Sequence, residues 1–126
     1  MAFNRQPRMI NSIGNIIGKN PSIGSGFDTD YQTLLQRASS LGYALPSTSQ
    51  QIKQNQFLLD LKTLGVWDLL DVLYVFRTDG SANYATLNWK NPLQFQVSQI
   101  ASPTFTVNEG FKGNGTTSYL NLNWAS

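Results

Sequence analysis

The sequence has no cysteine and no histidine among its 126 residues. Without cysteine the chain has no disulfide and no thiolate nucleophile, and without histidine it lacks the usual general base at neutral pH. The commonest zinc and iron ligands are missing too, so a metal would need the oxygen ligands that calcium and magnesium prefer. No Asp-x-Asp-x-Asp-Gly loop supplies them. We therefore predict that the chain is not an enzyme and holds no cofactor or metal.

Charged side chains are scarce, at 13% of the residues, which is about half the usual share of a globular domain. The formal net charge of +2 is too small to indicate nucleic-acid binding. Asparagine and glutamine take the place of charged residues. Their amide side chains suit surfaces buried in assemblies, because amides form hydrogen bonds across an interface at a small desolvation cost. No apolar run approaches the roughly 18–20 residues of a membrane span. We expect no nucleic-acid partner, no membrane span, and synthesis in the cytoplasm.

The densest apolar run covers residues 65–76 and joins a helical half to a half rich in Gly, Asn and Thr. Residues 72–76 are aliphatic or aromatic and uncharged, which favours a strand buried on both faces, with a buried helix as the alternative. Asp79-Gly80 follows, and this dipeptide favours the positive-φ geometry of a tight turn. The run is therefore predicted to be the organising centre of the fold.

Before that strand, residues 67–71 predict one helical turn, and Gly65 is placed to end the preceding helix as its C′ residue. Asp68 and Asp71 form a carboxylate pair at i, i+3 spacing. The pair has two interpretations, a catalytic one and a structural one in which Asp68 caps the turn and Asp71 faces solvent. The structural interpretation is favoured because no other candidate catalytic group accompanies the pair.

Residues 1–27 predict an extended N-terminal arm, broken by glycines and prolines and basic throughout. Two interpretations stay open: a floppy terminus, or an arm that becomes ordered on a neighbouring subunit. The arm is more apolar than a free linker normally is, which favours docking. The candidate docking residues are Phe3, Ile10, Ile13, Ile16 and Ile17.

Residues 28–80 predict a helical domain. A first helix over 29–42 has one apolar stripe and acids at its start. A second helix runs from Ser47, whose spacing to Gln50 fits a capping box, to about Leu64. The two are expected to form an antiparallel pair packed on apolar stripes. The stripe residues are Tyr31, Leu34, Leu35, Ala38 and Leu41 in the first helix, and Ile52, Phe57, Leu58, Leu61 and Leu64 in the second.

Residues 81–126 predict a strand-rich C-terminal segment. Its start, residues 81–89, fits a short helix or an irregular loop. The alternating pairs Phe95/Val97 and Phe105/Val107 then indicate strands, and residues 119–122 a closing strand. In a monomer several such strands would have exposed edges. The predicted fold class is α+β: an extended arm, a small helical hairpin, then short antiparallel strands, with a partial jelly roll as a possibility.

Two motifs in this segment suggest ligands. Residues 113–117 superficially resemble a phosphate loop but lack the Lys-Ser/Thr pair and the helix that follows it, so a β-turn is the preferred interpretation. Aromatic side chains in a small domain usually lie in its core or at an interface. Tyr119 and Trp124 are the candidate exceptions, as glycan-stacking residues, because they lie in the Gly/Asn-rich end.

Three blocks carry a family resemblance: LGVWDLLDVLY at 64–74, ATLNWKNP at 85–92 and GFKGNGTTSYL at 110–120. In that order they resemble a group of bacteriophage virion proteins of the tail, fibre or minor structural type. The third block is similar to the opening of a concanavalin-like (laminin-G-like) jelly roll, with its Phe-x-Gly-x-Gly/Ser-x-x-x-Tyr pattern. A jelly roll needs about eight strands. With about four here, the chain is expected to be either part of a longer protein or one that completes its strands against neighbours.

The resemblance implies a virion structural component, made in the bacterial host and docked through its N-terminal part. The expected partners are other virion proteins and copies of the same chain, in a tail, a fibre or a head-fibre attachment. The alternative is a carbohydrate-binding module that recognises a host-surface glycan. The arm hypothesis predicts that deletion of residues 1–27 abolishes incorporation and leaves the helical part folded.

Overall fold

A computed structural model of the chain describes residues 26–125. It confirms the predicted α+β class, with helices followed by short antiparallel strands. In chain order the elements are α1 (Thr29–Ser40), α2 (Thr48–Thr63), a 3-10 helix (Trp67–Leu69), α3 (Ala82–Ala85), β1 (Ser98–Ile100), β2 (Thr104–Thr106), β3 (Gly110–Lys112) and β4 (Tyr119–Asn121). The predicted arm residues Phe3, Ile10, Ile13, Ile16 and Ile17 lie outside the described part.

Helix α1 forms where the sequence predicts it. The Asp28 carboxylate accepts a hydrogen bond from the Asp30 backbone N–H at 2.9 Å and caps the first turn. Four members of the predicted apolar stripe are buried, and the fifth, Leu41, is 37% exposed at the C-cap. The buried members are Tyr31, Leu34, Leu35 and Ala38.

Helix α2 begins at Ser47, whose hydroxyl accepts a hydrogen bond from the Gln50 backbone N–H, as predicted. The second half of the predicted capping box is wrong. The Gln50 side chain bonds Asn108 instead, and the Ser47 N–H is satisfied by the Asp79 carboxylate at 3.0 Å. The Ser47 hydroxyl also donates to Asp79 at 2.6 Å. A residue 32 positions away therefore completes the cap and ties the helix to the end of the apolar run.

The predicted apolar stripe of α2 is wrong. Of its five members only Leu58 is buried, and Ile52, Phe57 and Leu64 are 56%, 43% and 75% exposed. The buried face instead carries Gln51, Gln54 and Leu58. Polar side chains occupy this face because each glutamine has a buried hydrogen-bond partner. The expected pairing of α1 and α2 on two apolar stripes is replaced by contacts that are polar on the α2 side.

Both long helices end in the same way. Gly42 and Gly65 each have φ of +75°, the left-handed conformation that glycine adopts without a steric penalty. After α2 the Gly65 N–H donates to the Lys62 carbonyl and the Val66 N–H donates to the Leu61 carbonyl. This is the Schellman pattern, and it confirms Gly65 as the predicted C′ residue.

Two local predictions around the apolar run need correction. The 3-10 helix Trp67–Leu69 confirms the predicted helical turn, but its N-cap is Val66 and no side chain caps it, so Asp68 does not have the expected role. Gly80 is not among the positive-φ residues. Its small size matters instead, because a Cβ there would lie 3.0 Å from the Ala44 carbonyl oxygen and 3.1 Å from the Pro46 nitrogen.

The predicted strand at 72–76 is also wrong. The segment belongs to no strand, and its residues are half-buried. It meets an irregular neighbour: the Leu73 N–H donates to the Asn88 side-chain oxygen, and the Trp89 N–H donates to the Leu73 carbonyl. A side chain thus takes the place of a partner strand. Leu73 and Val75 pack against the helical core, and the segment still links the two halves of the molecule.

The hydrophobic core lies between the helices and the segment around α3. Residues on both sides of the predicted boundary at residue 80 share it. Its buried members are Tyr31, Leu34, Leu35, Ala38, Leu58, Trp67, Tyr84, Leu87 and Trp89. Phe27, which the sequence places in the arm, packs against this cluster, with its ring 5.4 Å from that of Tyr31.

The four strands form two separate antiparallel ribbons, β1 with β4 and β2 with β3. The β2–β3 ribbon is nested in the sequence between the strands of the other ribbon. Gln99 lies opposite Leu120 in the first, and Phe105 opposite Phe111 in the second. Phe95, predicted to begin a strand, has φ of +56° and lies outside β1, because that conformation interrupts an extended chain.

Candidate assembly surface

The two ribbons have open edges. Each strand pairs on one side only, so within residues 26–125 no third strand covers either ribbon. An unpaired edge presents a row of N–H and C=O groups that another chain can pair with. An isolated two-stranded ribbon is also only marginally stable in water. We call residues 93–125, which contain both ribbons, the ribbon end.

The β1–β4 ribbon is held in place by polar contacts at one end. The Tyr74 hydroxyl lies 2.6 Å from the Phe95 carbonyl oxygen and 3.1 Å from that of Leu122. Partial burial raises the pKa of the Tyr74 hydroxyl. The Asn123 side chain donates to the Gln96 carbonyl at 2.7 Å and to the Ser98 hydroxyl at 2.8 Å. These contacts bring the residues before β1 next to those after β4.

The β2–β3 ribbon is held by aromatic rings. The Phe111 ring lies 5.0 Å from that of Phe105 and 5.7 Å, edge to face, from that of Phe76. The Phe76 ring in turn stacks on Tyr74 at 6.1 Å. Gly110 begins β3 beside Phe76 with φ of +109°, a backbone conformation that favours glycine. Tyr74 and Phe76, from the apolar run, therefore anchor one ribbon each.

Large apolar side chains remain exposed on the ribbon end. Six of the eleven large exposed hydrophobic residues in the described part lie there, although the ribbon end is only about a third of the described residues. They are Leu93, Phe95, Val107, Tyr119, Leu122 and Trp124. Scattered apolar residues on a surface are normal. Here they accompany open strand edges, and the Tyr74 contacts bring the backbones of Phe95 and Leu122 together.

The predicted glycan-stacking residues lie on this surface. Tyr119 is 56% exposed and Trp124 is 40% exposed. Three other aromatic residues weighed with them, Trp67, Tyr84 and Trp89, are buried in the core, as expected for aromatics in a small domain. Tyr119 belongs to β4, opposite Ile100 of β1. Glycan stacking by the exposed pair stays a prediction.

A polar cleft of about 470 Å³ is lined by residues of the β2–β3 ribbon and of the loops that connect it to β1 and β4. The turn at 113–117 borders it and is organised by Asn114, whose side-chain oxygen accepts from the N–H groups of Thr116, Thr117 and Ser118. Residues 113–117 therefore form a turn closed on itself, in agreement with the turn that the sequence analysis preferred over a phosphate loop. The hydroxyl and amide groups lining the cleft come from Ser102, Thr104, Thr106, Asn114 and Ser118.

The most buried polar cluster has a structural role. The hydroxyls of Tyr31 and Tyr84 both donate to the Gln54 side-chain oxygen at 2.8 Å, and the Gln54 amide donates to the Thr78 hydroxyl oxygen. Burial raises the pKa of both tyrosines well above the ordinary 10.0. The four side chains are at most 4% exposed, so the cluster offers no access to a substrate. Sequence analysis missed it because Gln54 was assigned to the polar face of α2.

The ion pairs of the described residues also have a structural role. The Lys62 ammonium lies 2.9 Å from the Asp28 carboxylate and 2.6 Å from that of Asp30. Burial acts to raise the pKa of Asp28, but the hydrogen bond and charge of Lys62, together with the backbone hydrogen bonds from Asp30 and Tyr31, outweigh it and the pKa is lowered. For Lys62 the two carboxylates likewise outweigh burial and raise the pKa. The cluster ties the start of α1 to the end of α2.

The carboxylate pair at Asp68 and Asp71 is exposed, in agreement with the solvent-facing interpretation of Asp71. Among residues 26–125 no group of three or more acidic side chains is placed to hold a metal ion. No helix in the same part of the chain is long and apolar enough to cross a membrane.

Comparison with protein-family models, curated proteins and solved structures found no match.

Proposed function

We propose that the chain is a structural component of a bacteriophage virion, docked through its N-terminal part and assembled with copies of itself or with neighbouring virion proteins. The virion part of this proposal rests on the sequence resemblance, which implies a place in a tail, a fibre or a head-fibre attachment. One observation of the structure supports the assembly role: two two-stranded ribbons whose outer edges have no partner within residues 26–125. We also propose that the chain has no catalytic activity.

The mechanism is completion of the ribbons across subunits. Pairing at an open edge satisfies backbone groups that otherwise bond only to water, and it buries apolar side chains beside the edge. Leu122 and Tyr119 are 41% and 56% exposed on or next to β4. Their burial supplies the favourable energy that an isolated ribbon lacks.

The first test is the solution mass of the 126-residue chain, measured by light scattering after size exclusion. We expect a defined trimer or larger ring. The double variant Tyr119→Lys/Leu122→Lys places charge at the β4 edge and should lower the mass below that of the wild-type assembly. Ile52→Lys is the matched control, since Ile52 is 56% exposed on α2, away from the ribbon end. A wild-type chain that stays monomeric contradicts assembly through the ribbons.

The second test concerns docking of the arm. Because Phe27 packs against Tyr31, the deletion should stop at residue 25 to leave the core intact. We expect the shortened chain to be absent from assembled particles, while the helical circular dichroism of the purified shortened chain stays unchanged. Substitution of Ile10, Ile13, Ile16 and Ile17 by serine should have the same effect. Normal incorporation of the deletion variant would refute docking through the N-terminal part.

A carbohydrate-binding module is the second candidate. The exposure of Tyr119 and Trp124 favours it, because aromatic rings that stack on sugars must be accessible. The hydroxyl-lined cleft beside the β2–β3 ribbon adds hydrogen-bonding groups within the same ribbon end. A glycan-binding assay should show binding by the wild type that Tyr119→Ala and Trp124→Ala abolish. Absent or unchanged binding removes this candidate.

A further inference from the structure

A cationic groove lies between helix α2 and the extended segment after the 3-10 helix. It consists of two adjoining hollows of about 480 and 330 Å³ that share Gln50, Lys53 and Arg77. Phe57 and Val75 line its apolar end, and Phe57 is 43% exposed there. We call this surface the basic groove. It combines two positive charges with an apolar wall.

The two cations of the basic groove have no acidic partner. The Arg77 Nε donates to the Asn108 carbonyl at 2.8 Å, which positions the guanidinium and leaves its two Nη groups unpaired within residues 26–125. All ion pairs of that part belong to Lys62, and the seven acidic residues of the chain all lie within it. Residues 1–25 contain no acid. No side-chain carboxylate of the same chain therefore neutralises Lys53 or Arg77.

A surface of opposite character lies at the 3-10 helix. Leu69 is 82% exposed, the largest exposure of any large hydrophobic residue described. Asp68 and Asp71 flank it, are exposed, and form no ion pair or hydrogen bond through their side chains within residues 26–125. We call residues 68–71 the acidic knob. It is anchored by Trp67 beside it, which is buried and whose ring centroid lies 4.5 Å from the Lys90 ammonium.

The knob and the groove of one molecule lie far apart. Lys53 is ten residues before the end of α2 at Thr63, which is about 15 Å of helix, and the knob lies beyond that end. Along the chain in the other direction, five residues lie between Asp71 and Arg77, and an extended chain over that stretch spans roughly 20 Å. The two surfaces therefore cannot satisfy each other within one chain.

We propose that the acidic knob of one copy of the chain docks in the basic groove of a second copy. The two carboxylates match the two cations in number, and Leu69 matches the apolar wall of Phe57 and Val75. The basic arm is a poor occupant of the groove, because residues 1–25 carry Arg5, Arg8 and Lys19 and no acid. This inference deepens the proposed self-assembly and rests on that part of the proposed function.

The contact joins two different surfaces, so it repeats head to tail and produces a closed ring or an open filament. It uses no strand edge and is separate from the ribbon contacts. Because it depends on exposed charges, added salt should weaken it, whereas ribbon pairing depends mainly on backbone hydrogen bonds and apolar burial. Salt dependence therefore distinguishes the two contacts in one protein.

Charge exchange tests the proposal on the 126-residue chain by analytical ultracentrifugation. The groove variant is Lys53→Glu/Arg77→Glu and the knob variant is Asp68→Lys/Asp71→Lys. We expect each alone to weaken self-association by roughly tenfold or more, since like charges then meet. An equimolar mixture of the two should recover it, because each reversed surface then meets its opposite. Circular dichroism confirms that both variants fold.

Asp60→Lys is the matched control, since Asp60 is exposed and lies outside the knob, the groove and the ribbon end. It should leave association within about twofold of the wild type. Unchanged association of the groove and knob variants overturns the proposal, as does a mixture that fails to recover or a wild type that does not associate. If only the Tyr119→Lys/Leu122→Lys variant loses assembly, the proposed function stands and the knob–groove contact is refuted.

Discussion

The helical half, residues 27–92, and the ribbon end, residues 93–125, differ in how far each buries its own apolar side chains and pairs its own polar groups. The helical half buries nine core side chains and several polar groups with their partners. In the ribbon end only Val97, Pro103 and Gly110 are buried. Folding energy comes mainly from apolar burial, so the first half has the means to fold alone. The second half depends on its contacts with that half for its stability.

A matched pair of leucine truncations tests this difference most strongly. Leu35 is fully buried in α1, whereas Leu122 is 41% exposed after β4. Leu35→Ala should lower the free energy of unfolding by about 2–5 kcal/mol, because it leaves a cavity in the core. Leu122→Ala should cost less than about 1 kcal/mol in the monomer. Urea unfolding measures both, and similar costs for the two variants would mean that the ribbon end has a core of its own.

The buried glutamine gives the next largest effect. Gln54→Leu removes the acceptor of two tyrosine hydroxyls, and each buried group left unsatisfied costs about 1–3 kcal/mol. We expect a total loss of roughly 2–4 kcal/mol in urea unfolding. Gln56→Leu is the control on the same helix, since Gln56 is exposed and bonds only Asp60. A stabilised Gln54→Leu protein would show that the polar cluster is not required for the fold.

Alkaline pH should destabilise the protein through two buried tyrosines of the helical half. Folding raises the pKa of Tyr31 and Tyr84 above their ordinary 10.0 through burial. Stability is therefore fully present below about pH 10 and falls above it, because only the unfolded chain loses these protons. Each tyrosine contributes up to about 1.4 kcal/mol per pH unit. Urea midpoints measured on either side of pH 10 check this, and Tyr31→Phe should reduce the slope.

Helix α1 was predictable because every residue of its buried face is apolar and its cap, Asp28, stands directly before it. The same method identified α2 and chose the wrong face. A pattern analysis assigns glutamine to solvent, and only the folded chain brings Tyr31 and Tyr84 to Gln54. The run at 72–76 has strand-forming composition, but its partner is the Asn88 side chain, which no periodicity indicates.

The candidate surfaces were predictable to different degrees. Open strand edges follow from short alternating segments, and the exposure of Tyr119 and Trp124 agrees with their place in the Gly/Asn-rich end. The basic groove was not predictable, since Lys53 and Arg77 are 24 positions apart and meet only because the extended segment returns alongside α2. The sequence indicates the acidic knob through the pair Asp68 and Asp71. It does not indicate the exposure of Leu69, because this residue belongs to the apolar run that is predicted to be the organising centre of the fold.

The smallest expected effect comes from a pair of asparagines that each organise a turn. Asn88 is 1% exposed, and its side-chain oxygen accepts from the N–H groups of Leu73 and Lys90. Asn114 does the same for three N–H groups in the ribbon end, but it is exposed. Asn88→Ala should cost about 1–3 kcal/mol, because it leaves buried donors unpaired. Asn114→Ala should cost less than about 1 kcal/mol, since water replaces its bonds.

Hydrogen exchange separates the two variants further. In Asn114→Ala we expect faster exchange confined to β3, β4 and the turn between them, with protection in α1 and α2 unchanged, because local opening involves only the weakly held segment. In Asn88→Ala the helices should also lose protection. If Asn114→Ala speeds exchange in α1, the ribbon end and the helical half unfold as one cooperative unit. The ribbon end would then contribute to the stability of the helices as well as depend on them.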